Sequence, residues 1–238
     1  MICFLTSRMD DPESGGLNPA NGFIDELLRR FPSPCDVLYV CSDPEGWEKT
    51  DLYGAIIKGW LENAGFPVRQ FITLDSRNES LTDSLVRGCN VLILAGGHVP
   101  TQNRFFAKIG LKEALRTFDG VLIGISAGSM NCADTVYAQP EEDGEAVDPG
   151  YRRFLPGLGL TKTCLLPHFQ DIRNNVLDGL RILEDVTFPD SADRTFYAIP
   201  DGSYLLIDNG REELRGEAFR IRDGFMEKIS AENSAVLL

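Results

Sequence analysis

The chain has 238 residues, 43% of them apolar, which is enough for a substantial core and suits one α/β unit. Its formal net charge is −13, from 23 Lys and Arg against 36 Asp and Glu, and no basic cluster interrupts that balance. Nucleic acid and anionic membrane are therefore poor partners, no apolar run approaches a spanning length, and the N-terminal run is too short for a signal peptide.

The elements alternate from the start. Residues 2–6 read as a strand, and 21–31 as a helix with Ile24, Leu27, Leu28 and Phe31 on one face. A strand over 37–41 precedes a helix over 47–64, with Ile56, Ile57, Trp60 and Leu61 inward and Gly65 closing it. Strands over 68–73, 91–95 and 121–125 complete a parallel set, with helical crossovers over 81–87 and 104–118. Their apolar runs are continuous rather than alternating, so helices should cover both sheet faces. After residue 190 the pattern changes to short strands over 195–199, 203–208, 217–221 and 225–229. Asp201-Gly202, Asn209-Gly210 and Asp223-Gly224 are hairpin signals between them, so an antiparallel extension of the sheet is expected. No linker interrupts the chain, and residues 1–238 read as one domain, an open, mostly parallel α/β sheet.

The strand over 121–125 runs into Gly124-Ile125-Ser126-Ala127-Gly128, a G-x-S-x-G elbow. A sharp strand-to-helix turn lifts a serine clear of the backbone, and small neighbours prevent clashes. The helix that follows aims unpaired N–H groups at the place where an oxyanion would form. Ser126 is thus a candidate nucleophile, and a nucleophilic serine needs a base. The chain has only two histidines, His98 and His168. His168 follows an apolar stretch ended by Pro167, at the strand edge where α/β active sites collect, and is the preferred base; His98, after Gly96-Gly97, is the reserve. A carboxylate should orient the imidazole. The interval over 139–148 offers Glu141, Glu142, Asp143, Glu145 and Asp148, and its composition alone does not choose among them.

Four segments together resemble the peptidase E family of aspartyl dipeptidases and its relative cyanophycinase, which share a class I glutamine amidotransferase-like fold. They are Val91-Leu92-Ile93-Leu94-Ala95-Gly96-Gly97-His98, the Ser126 elbow, Leu166-Pro167-His168-Phe169, and Ile199-Pro200-Asp201-Gly202-Ser203. The resemblance implies a cytoplasmic serine peptidase acting on short or aspartyl-type peptides, with Ser126 as nucleophile and His168 as base. The N–H groups of Ala127 and Gly97 would form the oxyanion hole. Family spacing favours Glu141, 15 residues beyond Ser126, as the acid, with Glu145, at 19, closer to the cyanophycinase interval. An acidic substrate implies a cation. Arg173 is nearest in sequence to His168, and Arg104, Arg152 and Arg153 are alternatives. His98 stands where the family commonly has Asn, and is a candidate substrate contact.

Glutamine amidotransferases place Cys at the elbow and Glu two residues after the histidine; Ser126 and Gln170 depart from both. An α/β-hydrolase would carry its histidine near the C-terminus, and none follows His168. An amidase or esterase on a small metabolite, or a non-catalytic binding module, remain the alternatives. The six cysteines, at 3, 35, 41, 89, 132 and 164, form no C-x-x-C and suit free thiols in a reducing compartment. Two isolated histidines offer no metal cluster, so no metal or cofactor is expected. The expected partner is a small peptide, with a homodimer as an open option.

Overall fold

A computed structural model describes residues 1–238. Five strands form the parallel centre: β1 (Ile2–Thr6), β2 (Cys35–Val40), β3 (Val68–Leu74), β4 (Val91–Leu94) and β5 (Val121–Ile125). They lie in the order β1-β5-β4-β2-β3, every neighbouring pair parallel. Strand side chains alternate between faces. In β4, Leu92 and Leu94 pack with Phe105, Phe106 and Val86 on one side of the sheet. Val91 and Ile93 pack with Phe23, Leu27, Ile57 and Leu61 on the other. All four β4 side chains are buried, each contributing about 1.5–3 kcal/mol of transfer free energy. The two central strands β4 and β5 are covered on both faces and carry no polar side chain, whereas the edge strand β3 exposes Arg69 and Gln70.

The covering helices are α1 (Phe23–Arg30), α2 (Trp47–Asn63), α3 (Thr82–Gly88) and α4 (Val99–Lys108). The expected crossover over 104–118 is not one helix. The chain enters α4 earlier, at Val99, and breaks at Gly110, whose φ of 64° is left-handed. It resumes as a short turn of helix at Leu111–Ala114. A short helix, α5 (Ala127–Met130), follows β5 directly.

The C-terminal half departs more from expectation. Apart from two small two-stranded pairings, its strands are β6 (Cys164–Leu166), β7 (Thr195–Ala198), β8 (Tyr204–Asp208), β9 (Arg211–Arg215), β10 (Ala218–Arg222), β11 (Phe225–Ser230) and β12 (Ala235–Leu237). Only β8, β9 and β12 extend the main sheet, antiparallel beyond β1. The others make a second sheet, β6-β7-β10-β11, in which β6 and β7 are parallel and the rest antiparallel. The chain therefore switches sheets at the turn after β7, through Pro200-Asp201-Gly202. That switch places the ends of β6 and β7 beside the ends of β1 and β5.

Candidate active site

Ser126 sits between β5 and α5 at φ 49°, ψ −110°, a conformation that costs a non-glycine residue about 1–3 kcal/mol. The turn is as tight as the sequence requires. A Cβ on Gly128 would lie 2.4 Å from the Leu94 carbonyl oxygen, and one on Gly124 would lie 2.8 Å from the Ser129 backbone. The backbone is held by the Ser126 N–H donating to the Thr6 carbonyl at 3.0 Å, while the Ser129 hydroxyl donates to the same oxygen at 2.8 Å. Ala127, the first residue of α5, is fully buried, and its N–H has no intrahelical acceptor.

His168 is also left-handed, at φ 55°, ψ 39°, immediately after β6 and Pro167. Its Nε2 is 2.9 Å from the Ser126 Oγ, and its Nδ1 is 2.7 Å from the Asp201 Oδ1. The same Asp201 oxygen accepts the Ser7 hydroxyl at 2.7 Å, and Ser7 Oγ accepts the His168 backbone N–H at 2.8 Å. Ser7 thus fixes the carboxylate and the histidine backbone together from the end of β1. Burial pushes the Asp201 carboxyl up, but hydrogen bonds from His168 and Ser7, with the charges of His168 and Arg8 nearby, outweigh it and hold the group below the ordinary range. Hydroxyl, imidazole and carboxylate in series can move a proton from the serine to the ring while the carboxylate steadies the imidazolium.

The carboxylate on the ring is therefore Asp201, and the expectation of Glu141 there is corrected. The physical reason is topological. β6 and β7 are parallel neighbours, Leu166 pairs with Ala198, and the Ile199 N–H donates to the Leu166 carbonyl at 2.9 Å. Each strand is followed within two residues by a proline and then an ionisable residue, Pro167-His168 after β6 and Pro200-Asp201 after β7, so the two side chains lie at the same edge. That repeated strand–Pro–ionisable pattern was the available signal for Asp201. Ser7 and Arg8, just beyond the first strand, lie at the same C-terminal edge.

The acidic interval is occupied otherwise. Glu145 Oε1 is 2.9 Å from the His98 Nε2, while its Oε2 accepts the backbone N–H groups of Glu141 and Glu142 at 2.9 and 3.0 Å. Asp178 accepts the N–H groups of Gly144 and Ala146. Two carboxylates so hold the loop against the fold, one of them through the residue after Gly97. His98 also reaches the Thr101 hydroxyl with Nδ1 at 2.8 Å. It does not line the cavity at Ser126, which corrects its expected substrate contact. Donor atoms of His98, Glu142 and Glu145 lie within 4.8 Å of one another. Both ring nitrogens and both Glu145 oxygens are already committed, so this cluster makes a latch rather than an open metal site.

Glu141 is exposed, yet the atoms crowded about its carboxyl, and after them the neighbouring Glu145, raise it to about 7. Its proton is bound more tightly in the folded chain than in the unfolded one. The stabilisation this gives is complete below about pH 4.5 and is lost as pH rises through 7. Glu141→Gln is therefore expected to match the wild type in thermal stability at pH 5 and to exceed it at pH 8. Solvent screening keeps the gain below about 1 kcal/mol, or about 2–4 °C. Melting curves at the two pH values check this; a variant less stable at pH 8 would contradict it.

A cavity of about 350 Å³ opens at the reaction centre. Its lining includes Ser126, His168, Gly96, Gly97, Ser42 and Ser7, together with Tyr39, Ile57, Trp60 and the first turns of α2. Gly96 lies against Ser126, where a Cβ would be 3.5 Å from the Ser126 Cβ, and Gly97 lines the same cavity against Ser42. Arg173 is exposed and lies outside this lining, and of the alternatives Arg153 is paired with Asp190. The cations that face the cavity are Arg8 and Lys49. Neither was singled out from sequence, since isolated basic residues carry no local signal.

A serine on a strand-to-helix elbow, with imidazole and carboxylate in line at the edge of an open α/β sheet, defines a hydrolase of the serine type. The chain belongs to peptidase family S51, whose family model matches residues 10–215, and it is a serine-type peptidase. Similar solved structures include a peptidase from an acI-B1 Actinobacterium, at 15% identity and a TM-score of 0.66, covering 100% of this chain and 96% of that one. A putative peptidase E protein from Listeria monocytogenes EGD-e is similar at 18% identity and a TM-score of 0.56, covering 96% and 98%. At these identities the likeness is one of fold. No match is found among curated proteins. No helix is long and apolar enough to cross a membrane.

Proposed function

We propose that the protein is a cytoplasmic peptidase that hydrolyses short peptides through Ser126, His168 and Asp201, the whole chain acting as one peptidase E-like unit. The observation that carries this is the continuous series from Ser126 Oγ to His168 Nε2 at 2.9 Å and from His168 Nδ1 to Asp201 Oδ1 at 2.7 Å. Ser126 attacks the scissile carbonyl as His168 takes its proton. The oxyanion is met by the Ala127 N–H and by the Gly97 N–H, the first donor worth about 3–4 kcal/mol by analogy with other acyl-transfer sites. His168 then protonates the leaving amine, and a water attacks the acyl-enzyme with His168 again as base. The six free thiols fit a reducing compartment. For an aspartyl-type substrate, Arg8 replaces Arg173 as the proposed cation, because it faces the cavity and keeps guanidinium N–H groups beyond its pair with Asp10.

The test is a fluorophosphonate probe together with a dipeptide panel containing Asp-X, Glu-X and isoaspartyl members. Ser126 should be labelled, and at least one class of dipeptide cleaved. A protein that is never labelled, or one that is labelled but cleaves only esters, would overturn the peptidase reading.

A further inference from the structure

The cavity shared with Ser126 presents four charged side chains besides His168: Arg8, Asp10, Asp43 and Lys49. Three are already engaged. Arg8 holds Asp10 through Nε and Nη2 at 3.1 and 3.0 Å and lies 4.0 Å from Asp201. Asp43 turns one oxygen to the Glu45 N–H at 3.2 Å, and its other oxygen lies against Gly46, where a Cβ would be 2.6 Å away. Lys49 differs from them. No carboxylate lies within 4.0 Å of its Nζ, and its only defined neighbour is the face of Tyr53, at 6.0 Å from the ring centroid. Lys49 and Ser126 line the same cavity, to which Met9, Tyr39, Ile57, Trp60 and Ile125 contribute apolar surface.

We propose that Lys49 is a specificity-determining residue that receives the free C-terminal carboxylate of a short peptide whose scissile carbonyl lies at Ser126. This deepens the peptidase reading and rests on it. The chemistry follows from the lining. A volume near 350 Å³ is at the small end of ligand cavities and suits a substrate of two or three residues. A substrate that short carries its terminal carboxylate wherever its reacting carbonyl goes. One unpaired ammonium on a flexible stem, in the same cavity as the serine, meets such a group as a point charge without demanding a fixed planar geometry. The same arrangement disfavours long chains, whose continuing backbone brings no charge to Lys49 and must leave through the cavity mouth.

Because this contact is the same in ground and transition states, its loss should appear in KM rather than in kcat. The experiment compares matched dipeptides with a free or an amidated C-terminus, on the wild type and on Lys49→Gln. An exposed charge pair of this kind is expected to give the wild type a preference for the free acid of about 2–5-fold in kcat/KM. In Lys49→Gln the preference should fall to about one, and Lys49→Arg should keep most of it. A second measurement does not need turnover: the slowing of fluorophosphonate labelling of Ser126 by each peptide reads occupancy alone. Free dipeptides should protect Ser126 better than amidated ones in the wild type and not in Lys49→Gln. This arm decides the assignment even when no peptide is cleaved, so its failure is distinct from failure of the peptidase reading. Equal acid-to-amide ratios in wild type and variant overturn it. So does a variant that loses only the distinction between Asp and Asn at the N-terminal residue, since Lys49 would then read the acidic side chain.

Discussion

Ser126→Ala is expected to fold like the wild type and to lose turnover by roughly 10⁶-fold, the scale seen when a serine nucleophile is removed in another triad enzyme. The methyl group keeps the Cβ that already occupies the elbow, and the unusual backbone at Ser126 is held by neighbours that do not change. The Thr6 carbonyl still accepts two hydrogen bonds, and Gly124 and Gly128 still allow the close approach of Ser129 and Leu94. His168→Ala should lose about as much, and the double variant little more than either, because the hydroxyl without its base is a poor nucleophile. Kinetics on a dipeptide that the wild type cleaves, with circular dichroism as the control for folding, measure this. Additive losses would mean that serine and histidine act in separate steps. Wild-type turnover in Ser126→Ala would remove the elbow from the chemistry altogether. His98→Ala also tests the base: the His98 ring meets Thr101 and Glu145 rather than Ser126, so losing it should loosen the acidic loop and leave the hydroxyl–imidazole pair in place.

The features legible in the sequence were those written locally. The elbow is five contiguous residues, and the central strands β4 and β5 are continuous apolar runs. β1 and β5 fall on the expected residues, and β4 stops one residue short of the expected end. The histidine was found because the chain has only two and because Pro167 ends its strand. What was not legible depended on pairings distant in sequence. Whether β7 joins the main sheet or a second one is decided by its partners β6 and β10, not by its own alternation. The split of 104–118 needed the left-handed turn at Gly110, and a single glycine in a helical pattern is also compatible with continuation. The acid was missed for the same reason. A search confined to the interval between serine and histidine treats proximity in sequence as proximity in space. Asp201 lies 33 residues beyond His168, yet parallel pairing makes it the neighbour.

That contrast sets the second large effect. Asp201→Asn should lower turnover by about 10⁴-fold, as a carboxylate-to-amide change does in another triad, while Glu141→Gln changes it less than a few-fold. The carboxylate accepts from two donors at once, the His168 ring N–H and the Ser7 hydroxyl, on the single oxygen Oδ1. An amide that keeps its oxygen there still orients the ring but supplies no charge to the imidazolium. One that turns its NH₂ inward meets the ring N–H with a donor and favours the tautomer whose Nε2 carries the proton, which cannot accept from Ser126. Either orientation removes what the base needs. The stability side has a definite sign. The Asp201 carboxyl is held below its ordinary range, so its contribution is present above the unfolded carboxylate pKa and is lost as pH falls through the folded value. The stability difference between wild type and Asp201→Asn should therefore be constant near neutrality and shrink in acid below about pH 4. Ser7→Ala separates orientation from charge: it removes one donor to Oδ1 and the acceptor of the His168 backbone N–H while leaving the carboxylate, and its loss should fall well short of Asp201→Asn. Should Glu141→Gln instead carry the 10⁴-fold loss and Asp201→Asn be mild, the working carboxylate would be the one in the acidic loop. That loop would then have to move during turnover to bring Glu141 onto the His168 ring.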